Sequence, residues 1–204
     1  MVREAAYDEV HDAQSQFRSL LDSLSRPGRI QPLDAVKLNP PPGLNRASVL
    51  VALALMDGDV RFHVVHDERG ESAYLAANTR SVPDRLDKAA FIFAEGGDGP
   101  EILESADCGT LAYPDTSATL ILQIAAASAQ PLDGGLWLQF EGPGVDGASV
   151  LFTRGLNPDL LLALLARNAE FPLGVDAILT FEDASGVPSI VGVPRTTYLA
   201  WERL

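Results

Sequence analysis

Two short apolar runs rich in β-forming residues, Val175 to Phe181 and Ser189 to Val193, constrain the fold most tightly. The polar, turn-forming stretch Glu182 to Val187 separates them, so they read as two strands joined by a hairpin. Phe171-Pro-Leu-Gly-Val-Asp176 leads into the first strand, and its rigid Pro and permissive Gly fix the approach of the chain. Val193-Pro-Arg-Thr-Thr197 leads out of the second, where another Pro presents a cation flanked by two hydroxyls.

The rest of the chain alternates between helical and strand patterns. Asp12 to Ser25 places Phe17, Leu20, Leu21 and Leu24 at helical spacing, with Asp12 as the expected cap and Arg26-Pro27-Gly28 as the stop. Asn45 is suited to cap a strongly apolar helix over Ala47 to Met56. Strands are expected at Val60 to Val65, Ala90 to Ala94, Thr119 to Ile124 and Trp137 to Phe140, the last two as an antiparallel pair. Helices are expected at Glu71 to Thr79, Glu101 to Ala106 and after Asn157-Pro158-Asp159, where Asn caps and Pro takes the first helical position. This order predicts an α/β protein, a three-layer α/β/α arrangement around a mixed sheet.

The 204 residues suit a single domain spanning 1–204 with a sizeable core. A formal net charge of −13 argues against nucleic-acid binding, which rests on Lys and Arg neutralising phosphates. A local Arg-lined pocket can still attract a small anion inside an acidic protein. Cys108, the only cysteine, excludes an intrachain disulfide and a thiolate metal cluster. The N-terminal residues lack the apolar run of a signal peptide, and no apolar window approaches the length of a membrane span. A cytoplasmic protein without membrane association is expected.

Arg195, Thr196 and Thr197 form the candidate anion site, because a guanidinium grips a phosphonate or phosphate through paired hydrogen bonds and hydroxyls can complete the shell. The plainer alternative pairs Arg195 with an acidic neighbour. Gly174 and Asp176 support the site: Asp176 either orients Arg195 from a neighbouring strand or caps the preceding turn, and capping is favoured. His11, His63 and His66 lack the neighbours that proton transfer or metal binding requires, so they are read as structural. No Gly-rich segment has the spacing of a nucleotide-binding loop, and no Ser sits in a nucleophile elbow. No catalytic or metal-binding residue is assigned.

The C-terminal segments Phe171 to Asp176 and Val193 to Thr197 resemble those of the H subunit of the bacterial carbon-phosphorus lyase system, the PhnH family of phosphonate metabolism. His11-Asp-Ala-Gln14, Phe17-Arg18, Pro27-Gly28, Gly109-Thr110 and Ala118 to Ile124 occur in the same order as in that family, so the likeness spans nearly the whole chain. It departs at Tyr198, where the family commonly has a polar or charged residue, and it is lost over Asn39 to Arg46 and Glu68 to Ser81.

The resemblance implies an accessory subunit for alkylphosphonate catabolism. In that system the G, H, I and J proteins form a core complex, the I subunit couples phosphonate to the ribose of a purine nucleotide, and the iron-sulfur J subunit cleaves the carbon-phosphorus bond. It also implies a homodimer that docks onto G, I and J, for which Tyr198, Leu199 and Trp201 are candidates, and a phosphonate or nucleotide as possible ligand. A fold like the large domain of pyridoxal-phosphate-dependent transferases is implied too. Lys37 and Lys88, the only lysines, lack the setting of an aldimine lysine, so no cofactor is expected. The alternatives are a small-molecule binding module for phosphonate or a phosphorylated nucleotide, and a stand-alone transferase.

Overall fold

A computed structural model describes Glu4 and residues 6–204. Its centre is a seven-stranded mixed sheet. Five strands run parallel: β2 (Arg61–Val64), β3 (Val82–Pro83), β4 (Phe91–Glu95), β5 (Thr119–Gln123) and β9 (Asp176–Glu182). The order across the sheet is β1-β10-β9-β5-β4-β2-β3, with β10 (Pro188–Val193) antiparallel to β9 and the two-residue β1 (Gln31–Pro32) antiparallel to β10. The expected C-terminal hairpin therefore lies inside this sheet, where β10 is buried along its whole length. Strands covered on both faces read as continuous apolar runs, which is why these two were the clearest in the sequence.

Alternation along each strand sends side chains to two cores. Phe93, Ile121, Ile178 and Ile190 face α1 (His11–Ser25), α2 (Arg46–Leu55) and α3 (Glu71–Thr79). Asn45 caps α2 as expected, its side chain accepting from Ser48 N at 2.7 Å. Helix α1 differs from expectation at both its cap and its face. Asp8 Oδ1 accepts from Val10 N and His11 N, so Asp12 falls within the first turn. The buried stripe of α1 is Gln16, Leu20 and Ser23, while Phe17 and Leu21 are exposed. The helix lies close against β10, where a Cβ on Gly192 would meet Ser23 O at 2.5 Å.

On the opposite face Leu120, Leu122, Ala177, Leu179 and Val191 pack against α4 (Glu101–Ser105) and α5 (Pro158–Asn168). This layer also holds a four-stranded antiparallel sheet, formed by β6 (Ala126–Ser128), β7 (Leu136–Glu141), β8 (Ser149–Arg154) and β11 (Tyr198–Arg203) in the order β11-β7-β8-β6. Leu138, Phe140 and Leu151 carry it into the same core. The structure is thus α/β with a mixed sheet, and one outer layer combines helices with a second sheet. The expected pairing of Thr119–Ile124 with Trp137–Phe140 is corrected: β5 already has β4 and β9 on its two edges, so β7 pairs with β8 and β11 instead.

Candidate functional site

Arg195 lies in the turn between β10 and β11, and β9 brings Asp176 beside it. Asp176 Oδ1 accepts from the Arg195 backbone N at 2.7 Å, and both carboxylate oxygens accept from Nε at 3.2 Å. Nη2 donates to Asp176 Oδ2 at 2.5 Å and to Ser117 Oγ. Nη1 donates to the carbonyl of Pro114 at 3.0 Å and to that of Pro172 at 3.3 Å.

A guanidinium carries five N–H donors in a fixed fork, and here each has a partner within the chain. Arg195 ties together β9, the loop around Pro114 to Ser117 and the Phe171–Pro172 segment, with its own side chain only 14% exposed. The carboxylate faces the cation from the adjacent strand, so Asp176 orients Arg195, and the favoured turn-capping role gives way to the alternative.

Gly174 acts through its backbone. Its φ of +142° is one that side-chain-bearing residues rarely adopt, and a Cβ there would meet Asn168 Oδ1 at 2.4 Å. Asn168 needs that space, since its Oδ1 accepts from Val175 N at 2.8 Å and its Nδ2 donates to Val175 O at 3.1 Å. The end of α5 is thereby fastened to the start of β9.

Thr196 and Thr197 border a groove of about 850 Å³. Its wall runs from Leu165 and Ala169 of the α5 region past the exposed Phe171 to Tyr198 and Leu199. Thr197 is 8% exposed, and its Oγ1 is buried without a hydrogen-bond partner, whereas its backbone N donates to Pro194 O at 2.9 Å. The sequence-predicted residues therefore do gather in one place, but with divided roles. Arg195, Asp176 and Gly174 build the turn, and Thr196 and Thr197 edge the groove together with Arg195. Ser117 and the carbonyls of Pro114 and Pro172 complete the cluster, and no pattern in the sequence singled them out.

The histidines lie in separate surroundings. His63 Nδ1–H donates to Asp84 O at 2.9 Å. His66 Nε2 meets Asp98 Oδ1 at 2.7 Å, and the hydrogen bond to that carboxylate raises the His66 pKa above its ordinary 6.5. His11 is exposed at the start of α1. Among the described residues no three His, Cys, Asp or Glu side chains are grouped to hold a metal ion, and no helix is long and apolar enough to cross a membrane.

Comparison with protein families matches residues 4–200 to the bacterial phosphonate metabolism protein (PhnH) family. The chain belongs to the PhnH family. It is 38% identical over 199 residues, 96% of this chain and 94% of the relative, to alpha-D-ribose 1-methylphosphonate 5-triphosphate synthase subunit PhnH of Rhizobium meliloti strain 1021. It is 30% identical over 191 residues, 91% of this chain and 85% of the relative, to putative C-P lyase subunit protein HtxG of Stutzerimonas stutzeri. The PhnH match includes both C-terminal segments and the Arg195 cluster that connects them.

Proposed function

We propose that this chain is an accessory subunit of a carbon-phosphorus lyase, serving alkylphosphonate catabolism through assembly rather than through a catalytic centre of its own. The observation that carries the reading is the 38% identity along 96% of the chain to a relative named as a subunit of ribose 1-methylphosphonate 5-triphosphate synthase. In this role the chain is a single cytoplasmic domain over residues 1–204. It forms a homodimer and docks onto G, I and J partners, which couple phosphonate to a nucleotide ribose and break the carbon-phosphorus bond.

Two surfaces support docking. Val10, Phe17 and Leu21 recur at helical spacing on the outer side of α1, 70%, 45% and 52% exposed, where a folded monomer ordinarily places polar groups. Among the described residues strand β11 pairs only with β7, which leaves its outer edge available for another strand. Likeness to the large domain of pyridoxal-phosphate-dependent transferases belongs to the same proposal. The mixed sheet between packed layers is compatible with it, and Lys37 and Lys88 give no reason to add the cofactor.

The partnerless Oγ1 of Thr197 favours a second reading, a small-molecule site in the groove beside Thr196. There a phosphonate or phosphorylated nucleotide would meet the two threonines, with Arg195 holding the turn that presents them. Growth decides the leading reading. Deleting the gene in its native host should abolish growth on methylphosphonate as sole phosphorus source and spare growth on phosphate. Unchanged growth on methylphosphonate in a host with no other phosphonate route would contradict it.

A further inference from the structure

An open sheet has two edges, and natural proteins keep them short, charged or covered, because a row of unpaired N–H and C=O groups recruits other strands. Among the described residues the two sheets have four edges, and three of them are blunted by length. Strands β1 and β3 have two residues each, and β6 has three. The fourth edge, β11, runs for six residues and contains no Pro.

Leu204 N donates to Gly135 O at 3.1 Å, which fixes the phase of the β7–β11 ladder. Successive residues of an antiparallel strand turn their N–H and C=O groups alternately toward and away from the partner. Tyr198, Ala200 and Glu202 therefore bond β7, while Leu199, Trp201 and Arg203 turn their backbone groups outward. Among the described residues no other segment hydrogen-bonds that outward set. The groove of about 850 Å³ follows this edge, since the consecutive residues Tyr198, Leu199 and Ala200 all line it although their side chains alternate between faces. Leu165 and Phe171 line it as well. Phe171 and Tyr198 are 64% and 74% exposed, an aromatic surface on which the side chains of an added strand can pack.

Charge distinguishes the candidates for that strand. Among the described residues that line the groove Arg195 is the one cation, and all five of its donors have acceptors within the chain. Glu141 lines the groove too, exposed and opposite Tyr198 in the register, with Oε1 accepting from the neutral Gln139 amide at 2.6 Å. Glu202 is exposed on the same face as Tyr198 and Ala200, whereas Arg203 stands on the other face at the end of the strand. Past Pro143, where Gly144 abuts Ser25, Arg26 is paired with Asp22 at 3.0 Å. A second copy of this chain would bring a further net charge of −13 to this acidic face, so a basic segment is the better match.

We infer that the outer edge of β11 accepts an extended segment of a partner protein as an added strand, a segment in which Lys or Arg alternates with apolar side chains. Its backbone bonds Leu199, Trp201 and Arg203, its cations meet Glu141 and Glu202, and its apolar side chains pack against Leu165 and Phe171. The inference rests on the subunit reading for the existence of a partner, and it adds the edge that the partner uses and the chemistry that the edge selects.

The test is hydrogen exchange of the full-length tagged protein, alone and within the assembly recovered from its native host grown on methylphosphonate, read residue by residue along β11. The amides of Leu199 and Trp201 should exchange at least roughly tenfold more slowly in the assembly, whereas Ala200 and Glu202, already bonded to β7, should change less. Glu141→Lys with Glu202→Lys should weaken recovery of the partner about tenfold, because attraction becomes repulsion, and should barely move the melting temperature of the isolated chain. Should that variant not fold, the exchange pattern of the unaltered protein still decides. Recovery with partners but with Leu199 and Trp201 unprotected, equal slowing along the whole strand, or undiminished recovery by the folded variant would overturn the inference and leave the subunit reading standing. Recovery of the chain alone would overturn both. Protection that develops in the isolated chain as its concentration rises would assign the edge to a second copy and overturn the basic segment.

Discussion

Asp176 and Arg195 hold each other across the junction of β9 with the turn that follows β10, joined through both backbone and side chain. Because Nη1 and Nη2 reach on to Pro114, Pro172 and Ser117, one guanidinium connects segments separated by up to 81 residues in sequence. Removing it leaves the Asp176 carboxylate with only the backbone N of residue 195 as donor and deprives two carbonyls of theirs. Arg195→Ala is expected to destabilise the fold by about 2–3 kcal/mol, less than for a fully buried pair because Asp176 is partly solvated. Arg195→Lys should recover only part of the loss, since an ammonium cannot reproduce the fork. Urea denaturation of both variants measures this.

Gly174→Ala tests the junction between α5 and β9. The substitution combines an unfavourable φ with a clash against Asn168, whose amide already serves Val175, and should cost about 2 kcal/mol or more. Stability unchanged in a thermal melt would show that the backbone there relaxes freely.

The His66–Asp98 pair makes a pH prediction. The folded-state pKa of His66 lies above 6.5, so the protonated form is favoured in the native protein. Its stabilisation is fully present below pH 6.5 and is lost as pH rises through the raised value. The side chain is 52% exposed, so the effect on stability is small and the titration is the clearer observable. An NMR titration should place the His66 midpoint above 6.5, and Asp98→Asn should return it toward the ordinary value.

The outer stripe of α1 separates docking from folding. Phe17→Asp with Leu21→Asp changes side chains already exposed, so the melting temperature should barely move while association with partner subunits weakens at least roughly tenfold. A large drop in melting temperature would instead mark the stripe as part of the fold.

The expectations that succeeded rested on local physics. The Asn45 and Asn157 caps, the helix over Glu71–Thr79 and the β9–β10 hairpin each follow from a few adjacent residues. The second sheet was harder to read because β8 and β11 mix polar with apolar residues and gain their core partners from distant parts of the chain. Phe17 and Leu21 misled for a related reason: helical spacing marks an apolar stripe without saying whether the core or a partner covers it. The same limit applies at the candidate site. Residue types pointed to Arg195 as an anion clamp, and only the fold shows acceptors at all five of its donors.

The most direct test of the subunit reading is affinity purification of the tagged protein from its native host grown on methylphosphonate. The expected result is a stoichiometric assembly containing G, I and J subunits, diminished by the Phe17→Asp and Leu21→Asp changes. Recovery of this chain alone, while G, I and J purify together without it, would contradict the proposal.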